Sequence, residues 1–374
     1  MLIETQLLKE SCNKILNAID TSGSSDLTDL VELRAQDGNL QLNVTNTEYY
    51  VSAIFPLNSD EDFHATINAN TFLKLIPQLT TEAIEIKFKD TYVNIKANGN
   101  YKLPVVFSGD DMMSLPKINI ENKTCEMIID SEVLKGIAHY NVKELAKGII
   151  INPDIQKLHY VDEKGALTFT TGACVNNFIL PKPIKILLNN KLVKLFKLFD
   201  TETVNFSLGH DALSDEIIQT KIQIKNNNIE LTAILNCDDS LMRAIPVEKI
   251  RGRAEAIYPY TINISKNDLL QAINRLYLFT GDDKIKAKPA IFEFNPGDEG
   301  KVVIWDDIRH NSEELVCTGF TGTDPYELIL DLKDLKLTLD TCVDQYVSLS
   351  FGDGQAAVLK RLNIYNILPV CELR

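Results

Sequence analysis

Leu7-Leu8-Lys9-Glu10 opens a helical stretch near the start of the chain. The same opening returns as Val133-Leu134-Lys135-Gly136 and again as Leu269-Leu270-Gln271-Ala272. Each opening is followed by the same order of pieces: a helix, a hairpin with an Asp/Gly turn, another strand, a second helix and a second hairpin. The spacing is roughly 125 residues, too long for the stacked turns of a solenoid, so each copy reads as a domain of its own.

The copies align piece by piece. Leu30 to Arg34 and Leu40 to Val44 flank Asp37-Gly38-Asn39 in the first copy. Lys157 to Val161 and Ala166 to Thr170 flank Asp162-Glu163-Lys164-Gly165 in the second, and Ala290 to Phe294 and Lys301 to Trp305 flank the turn from Asn295 to Gly300 in the third. Turn residues between alternating apolar runs are the hairpin signal. A second helix is predicted over 71–79, 186–199 and 330–339, each followed by at least two strands. Pro77 falls inside the first of these, where it kinks or ends a helix. The fold class is therefore α+β: three repeated domains, each two β-α-β-β-β units, over residues 1–122, 123–256 and 257–374.

With 374 residues, 45% of them hydrophobic, the chain can fill several packed cores. A net charge of −14 argues against a nucleic-acid coat or a membrane-surface protein. No apolar run approaches the roughly 18 residues that a membrane span needs. Met1-Leu2-Ile3-Glu4-Thr5 lacks the basic-then-apolar pattern of a secretory signal. The cysteines lie far apart and none forms Cys-x-x-Cys, which suits a reduced, cytoplasmic protein.

Signals for catalysis are missing. There is no glycine-rich phosphate loop, and His64, His139, His159, His210 and His310 have no metal-site spacing. Four aspartate pairs occur: Asp110-Asp111, Asp238-Asp239, Asp282-Asp283 and Asp306-Asp307. As acid/base or metal carboxylates they would make a hydrolase, one rival reading; a structural repeat protein is the other. Solvated loop residues beside turns is the plainer account, because no partner constellation accompanies them. The sequence thus predicts neither enzyme, cofactor nor metal.

The helix read over 186–199 is more informative. Lys191, Lys194 and Lys197 form one stripe, while Leu188, Leu192, Leu195, Phe196 and Phe199 form a separate apolar face. Other helices carry Lys74, Lys135 with Lys143, Lys266 with Arg275, and Lys333 with Lys336. One such stripe alone reads as a solvated face. Its recurrence on equivalent helices of an acidic chain suggests a polyanion touched on one surface, through phosphates and without sequence readout.

Several segments resemble the bacterial-type DNA sliding clamp, the beta subunit of replicative DNA polymerase III. Asn366-Ile367-Leu368-Pro369-Val370 is similar to the family's terminal Leu-Pro-Val tail. Ser240-Leu241-Met242-Arg243-Ala244-Ile245-Pro246 is similar to its Asp-Tyr-Arg-Arg-Val-Leu-Pro segment. Ile67-Asn68-Ala69-Asn70-Thr71-Phe72 and Ile151-Asn152 resemble the start of the second helix and the pair after the domain-two helix. The resemblance implies two chains closed head to tail into a ring, with helices lining the hole and sheets outside. Such a ring encircles double-stranded DNA without sequence preference. It tethers the replicative polymerase topologically, so effective concentration supplies processivity. The basic stripes would then line the hole.

The resemblance also implies a pocket for short peptide motifs of the polymerase and clamp loader. It would be lined by Ile151, Thr171, Gly172, Cys174, Val175, Arg243, Ala244, Leu368, Pro369 and Val370. This chain departs from the pattern there. The family's Thr-Asp-Gly-His-Arg loop is Thr171-Gly172-Ala173-Cys174-Val175, Asp239 replaces a usual proline, and Cys371 replaces the arginine after Pro-Val. Such departures suit a virus-encoded clamp serving its own polymerase. The homodimer seam is expected at Leu103 and Val105 of one chain against Leu278 and Phe279 of the other.

Overall fold

Each repeat begins where alternation of period two gives way to a helical apolar stripe. The computed structural model describes the chain except residues 20–25, 47, 58–60, 132–133, 136–137, 139–146, 153–156, 163–165, 172, 175–183, 213–217, 236–251, 254–255, 281–286, 296–299, 341–343, 353, 355, 362–363 and 372–374. The first repeat runs β1 (Leu2–Glu4), α1 (Thr5–Leu16), β2 (Leu30–Gln36), β3 (Asn39–Thr45) and β4 (Tyr49–Pro56). The second is β5 (Phe63–Asn68), α2 (Ala69–Leu75), β6 (Ala83–Lys89), β7 (Tyr92–Lys96) and β8 (Asn100–Pro104). Two short strands follow, β9 (Phe107–Ser108) and β10 (Asp111–Met112).

The third repeat has β11 (Lys123–Asp130), helical residues that include Leu134 and Lys135, then β12 (Lys147–Asn152), β13 (Lys157–Asp162), β14 (Ala166–Thr171) and β15 (Ala173–Cys174). The fourth is β16 (Ile184–Leu187), α3 (Asn190–Leu195), β17 (Thr203–Ala212), β18 (Ile218–Lys225) and β19 (Ile229–Leu235). The fifth is β20 (Tyr260–Ser265), α4 (Lys266–Tyr277), β21 (Pro289–Phe294), β22 (Lys301–Asp306) and β23 (Ser312–Thr321). The sixth is β24 (Tyr326–Asp331), α5 (Leu332–Asp340), β25 (Tyr346–Phe351), β26 (Ala356–Arg361) and β27 (Ile364–Pro369). The β-α-β-β-β reading matches the observed order, with the two-residue β15 added in the third repeat.

Repeats combine in pairs by exchanging their first strands. β1 joins β6-β7-β8, while β5 joins β2-β3-β4; the later pairs do the same with β11 and β16, and with β20 and β24. By contact the chain forms two compact bodies. One comprises Met1–Ser131, Gly172–Pro181 and Lys191–Cys237 and holds a nine-stranded and a four-stranded sheet. The other comprises Glu132–Thr171, Lys182–Asn190 and Asp238–Arg374 and holds a twelve-stranded sheet.

Local chemistry explains the element ends. Asp37 and Gly38 take positive φ, 50° and 69°, the pairing that a two-residue turn between twisted strands requires. The Asn68 side chain accepts the Thr71 N–H and starts α2. Pro77 has no N–H to donate, so α2 stops at Leu75 and tightens into a 3-10 turn over Ile76–Gln78. The helix expected over 186–199 is shorter, because Ile184–Leu187 pairs with β12 as a strand and the last turn, Phe196–Leu198, is 3-10. Helices bury one stripe each, as with Leu8, Cys12 and Ile15 of α1 and Leu269, Ala272, Ile273 and Leu276 of α4.

A strap over residues 113–122 crosses the first body, and buried acids anchor it. Glu32 on β2 accepts from Ser114 Oγ (3.0 Å), Asn43 Nδ2 (2.7 Å) and Arg34 (3.1 Å), with His64 Nε2 also 2.7 Å away. Asp211 on β17 accepts the N–H groups of Glu121 and Asn122 and pairs with Lys221 at 2.8 Å. Burial alone would raise both carboxyls. For Glu32 the donors Asn43, Arg34 and Ser114 outweigh it, and for Asp211 Lys221 and the two amides do, so both lie below the ordinary range.

Candidate functional site

The basic stripes lie opposite the buried stripes. On α3 and the turn after it, Lys191, Lys194 and Lys197 are exposed, while Leu192, Val193, Leu195, Phe196, Leu198 and Phe199 are buried. Leu188, just before, is buried too. Lys74 on α2 and Lys333 on α5 are exposed, and Lys135 and Lys266 are half-buried. Lys336 holds its Nζ 5.6 Å from the centre of the Tyr277 ring. Lys143 lies outside the described residues. Arg275 is different: its guanidinium grips Glu313 on β23 with two hydrogen bonds, 2.7 and 2.6 Å. That bidentate hold, 38 residues away along the chain, commits the charge to a protein carboxylate.

The strand edges follow from the repeats. Within the first body β4 pairs with β19, from Ala53↔Ile229 to Tyr49↔Ala233. Within the second body β14 pairs with β27, from Ala166↔Asn366 to Thr168↔Ile364. Each joint sets the third strand after the helix of an odd repeat against the third strand after the helix of an even one. By that rule β23 and β8 remain. Among the described residues β8 pairs with β7 alone, and Ser312–Val316 of β23 pair only with β22. Two large side chains at the end of α4 sit in water, Leu278 at 80% and Phe279 at 63% exposure. Leu103 and Val105 turn inward instead, only 7% and 8% exposed. The inward parity of β8 is the cause: Leu103 pairs with the buried Val93. What the first domain presents just after that edge strand is Phe107 on β9, 42% exposed, in a two-residue strand that the sequence reading did not include.

At the C-terminus Leu368 is buried and pairs with Ala357, Val370 packs on the core, and the Cys371 N–H donates to the Ile329 carbonyl at 2.9 Å. Burial first, then Asp331 and Asp334, pushes the Cys371 thiol up, away from reactivity. Ile151 lies on β12, Thr171 on β14, Cys174 on β15 and Pro369 on β27. Gly172, Val175, Arg243 and Ala244 lie outside the described residues. Of the aspartate pairs, Asp110, Asp111 and Asp307 are exposed. Asp306 is buried and spends its carboxylate on the His310 and Asn311 N–H groups and on Asn311 Nδ2. It closes the β22–β23 turn. Asp238-Asp239 and Asp282-Asp283 lie outside the described residues.

The fold is that of a DNA sliding clamp. It is shared along the full chain with the DNA polymerase III subunit beta of Pseudomonas aeruginosa (14% identity, 100% of both chains covered, TM-score 0.74). It is shared equally with the Helicobacter pylori beta clamp bound to a DNA ligase peptide (15% identity, 100% and 99% covered, TM-score 0.73) and the Bacillus subtilis sliding clamp (14%, 100% and 99%, TM-score 0.71). Residues 1–122, about a third of the chain, match the family model of the DNA polymerase III beta subunit, N-terminal domain. No curated protein matches. Among the described residues no helix is long and apolar enough to cross a membrane.

Proposed function

We propose that the chain is a DNA sliding clamp, a processivity factor and not an enzyme, with three domains over 1–122, 123–256 and 257–374. The observation that carries this is the clamp fold over the whole chain joined to the beta-subunit family match over 1–122. Two copies close into a ring, each setting β8 against β23 of the other. The reading is supported by the two internal joints of the same kind and by the exposed Leu278, Phe279 and Phe107. A closed two-fold ring also covers strand edges that would otherwise template aggregation.

The hole takes double-stranded DNA. Lys74, Lys191, Lys194, Lys197 and Lys333 supply its exposed cations, with Lys135, Lys143, Lys266 and Lys336 beside them. Contacts of this kind hold phosphates loosely, and a weakly basic bore in an acidic body lets the ring slide. The C-terminal strand end, with Thr171 and Arg243, receives short apolar peptides from the polymerase and the clamp loader, whose anchor side chains carry the binding energy. The place of work is the cytoplasm. Primer extension by the cognate polymerase is the test. Added protein lengthens products on circular primed DNA; no lengthening there would refute the reading.

A further inference from the structure

The solvent face of the four-stranded sheet carries a basic patch separate from the helices. In antiparallel strands, directly opposed residues share a face. The register of β6, β7 and β8 therefore sets three rows: Glu85, Lys96 and Asn100; Lys87, Asn94 and Lys102; and Lys89, Tyr92 and Pro104. The opposite face is core, with Ile84, Ile86, Val93, Ile95 and Leu103 buried. Nine positions on β6–β8 thus hold four lysines and one glutamate, and Leu2 and Glu4 of β1 complete the face beside Glu85 and Ala83. Among the described residues only Lys87 of the four makes an ion pair, with Glu85 at 2.6 Å. Glu61 lies near enough to raise the Lys87 ammonium after Glu85 does, and Asp90 sits at the rim. Lys102 Nζ stands 5.0 Å from the centre of the Tyr92 ring.

The repeats provide an internal control. The equivalent strand of the fourth repeat, β18, carries Lys221 and Lys225, and both are matched, by Asp211 at 2.8 Å and Glu230 at 3.7 Å. The equivalent strand of the sixth, β26, carries Lys360 on its outward row. The fold does not need four lysines at this place. In a chain of net charge −14 they create a local positive field.

We infer that this sheet face is a second nucleic-acid surface and that it takes single-stranded DNA. Among the described residues Leu2 on the edge strand β1, opposed to Glu85, is the one large aliphatic side chain on this face, and a single edge residue offers no pocket for the anchor residues on which peptide recognition depends. Lysines beside one aromatic ring are what a backbone-tracking, base-stacking surface needs. The inference rests on the clamp reading for its purpose, since a polymerase's template is single-stranded ahead of the duplex. Its geometry rests on one protomer alone.

Fluorescence anisotropy with a labelled oligothymidylate of about 12 nucleotides, long enough to span several phosphate contacts, tests it. Four lysine contacts predict a slope of log K on log salt of about −2.8, from roughly −0.7 per phosphate on a single strand. Lys87→Gln/Lys89→Gln/Lys96→Gln/Lys102→Gln should lose at least tenfold in affinity and flatten the slope. A monomeric Phe279→Asp variant should keep the binding, so that failure of the ring and failure of this face are told apart. Lys191→Glu/Lys194→Glu/Lys197→Glu, which alters the proposed duplex-binding stripe, should weaken oligothymidylate binding less than the fourfold variant does. Equal binding by the wild type and the fourfold variant would overturn the inference. So would loss of binding in the α3 variant alone, or displacement of the oligonucleotide by a poly-glutamate peptide at equal charge, which would make this a docking face for an acidic protein.

Discussion

Replacing Phe279 with aspartate should take the ring apart without unfolding the protomer. Phe279 is 63% exposed in one chain, and a phenylalanine offers about 200 Å² to bury, so closing the seam covers roughly 125 Å² of it. At about 25 cal/mol per Å² that is ~3 kcal/mol at each seam. A two-fold ring contains the residue at both seams, giving ~6 kcal/mol, or about four decades in the dimer dissociation constant. The buried, unpaired carboxylate adds to the loss. The protomer should stay folded, because the side chain is already in water there, and should melt where the wild type does once the wild type is diluted to monomers. Sedimentation equilibrium at a concentration where the wild type is dimeric reads the outcome. A Phe279→Asp variant that stays dimeric would refute the seam argued from β8, β23 and the end of α4.

The remaining predictions concern the bore, the tail and the strap. Lys191→Glu/Lys194→Glu/Lys197→Glu should fold normally, since exposed charges contribute little stability, and should shorten primer-extension products; the deficit should narrow as salt rises. Val370→Asp should abolish polymerase binding in a pull-down while dimer mass stays unchanged; a point change is the right probe because Leu368 belongs to the core, so truncating it would damage the sheet. Glu32 and Asp211 have folded-state carboxyls held below their unfolded values, so their stabilisation is present above roughly pH 4 and is lost as pH falls through the folded values. Melting temperature should therefore drop on acidification, and Glu32→Gln/Asp211→Asn should show a shallower drop from a lower starting point.

Much of the fold was legible because the repeats carry consistent local signals. The Asp37-Gly38 turn, the alternation through Tyr92–Lys96 and the stripe of Leu192, Leu195, Phe196 and Phe199 all specify the same structure that packing enforces. Boundaries were less legible. Ile184–Leu187 reads equally as helix or strand from four residues, and only the ladder to β12 decides it. The site was legible in type but not in pairing. Nothing local to Arg275 announces Glu313, and nothing in Leu103 says that its parity turns it into the core. The lysines of β6, β7 and β8 show the reverse case. Their alternation with Ile86, Phe88 and Ile95 was visible in the sequence, but the three rows appear only once the register is known.

The most direct test of a sliding clamp is retention on DNA without ends. The protein is loaded onto nicked circular DNA with its loader and passed through a gel-filtration column, and the DNA is then cut once. The account predicts co-elution with the circle and release after the cut, because the link is topological and not a matter of affinity. Retention that is the same before and after linearisation would contradict it.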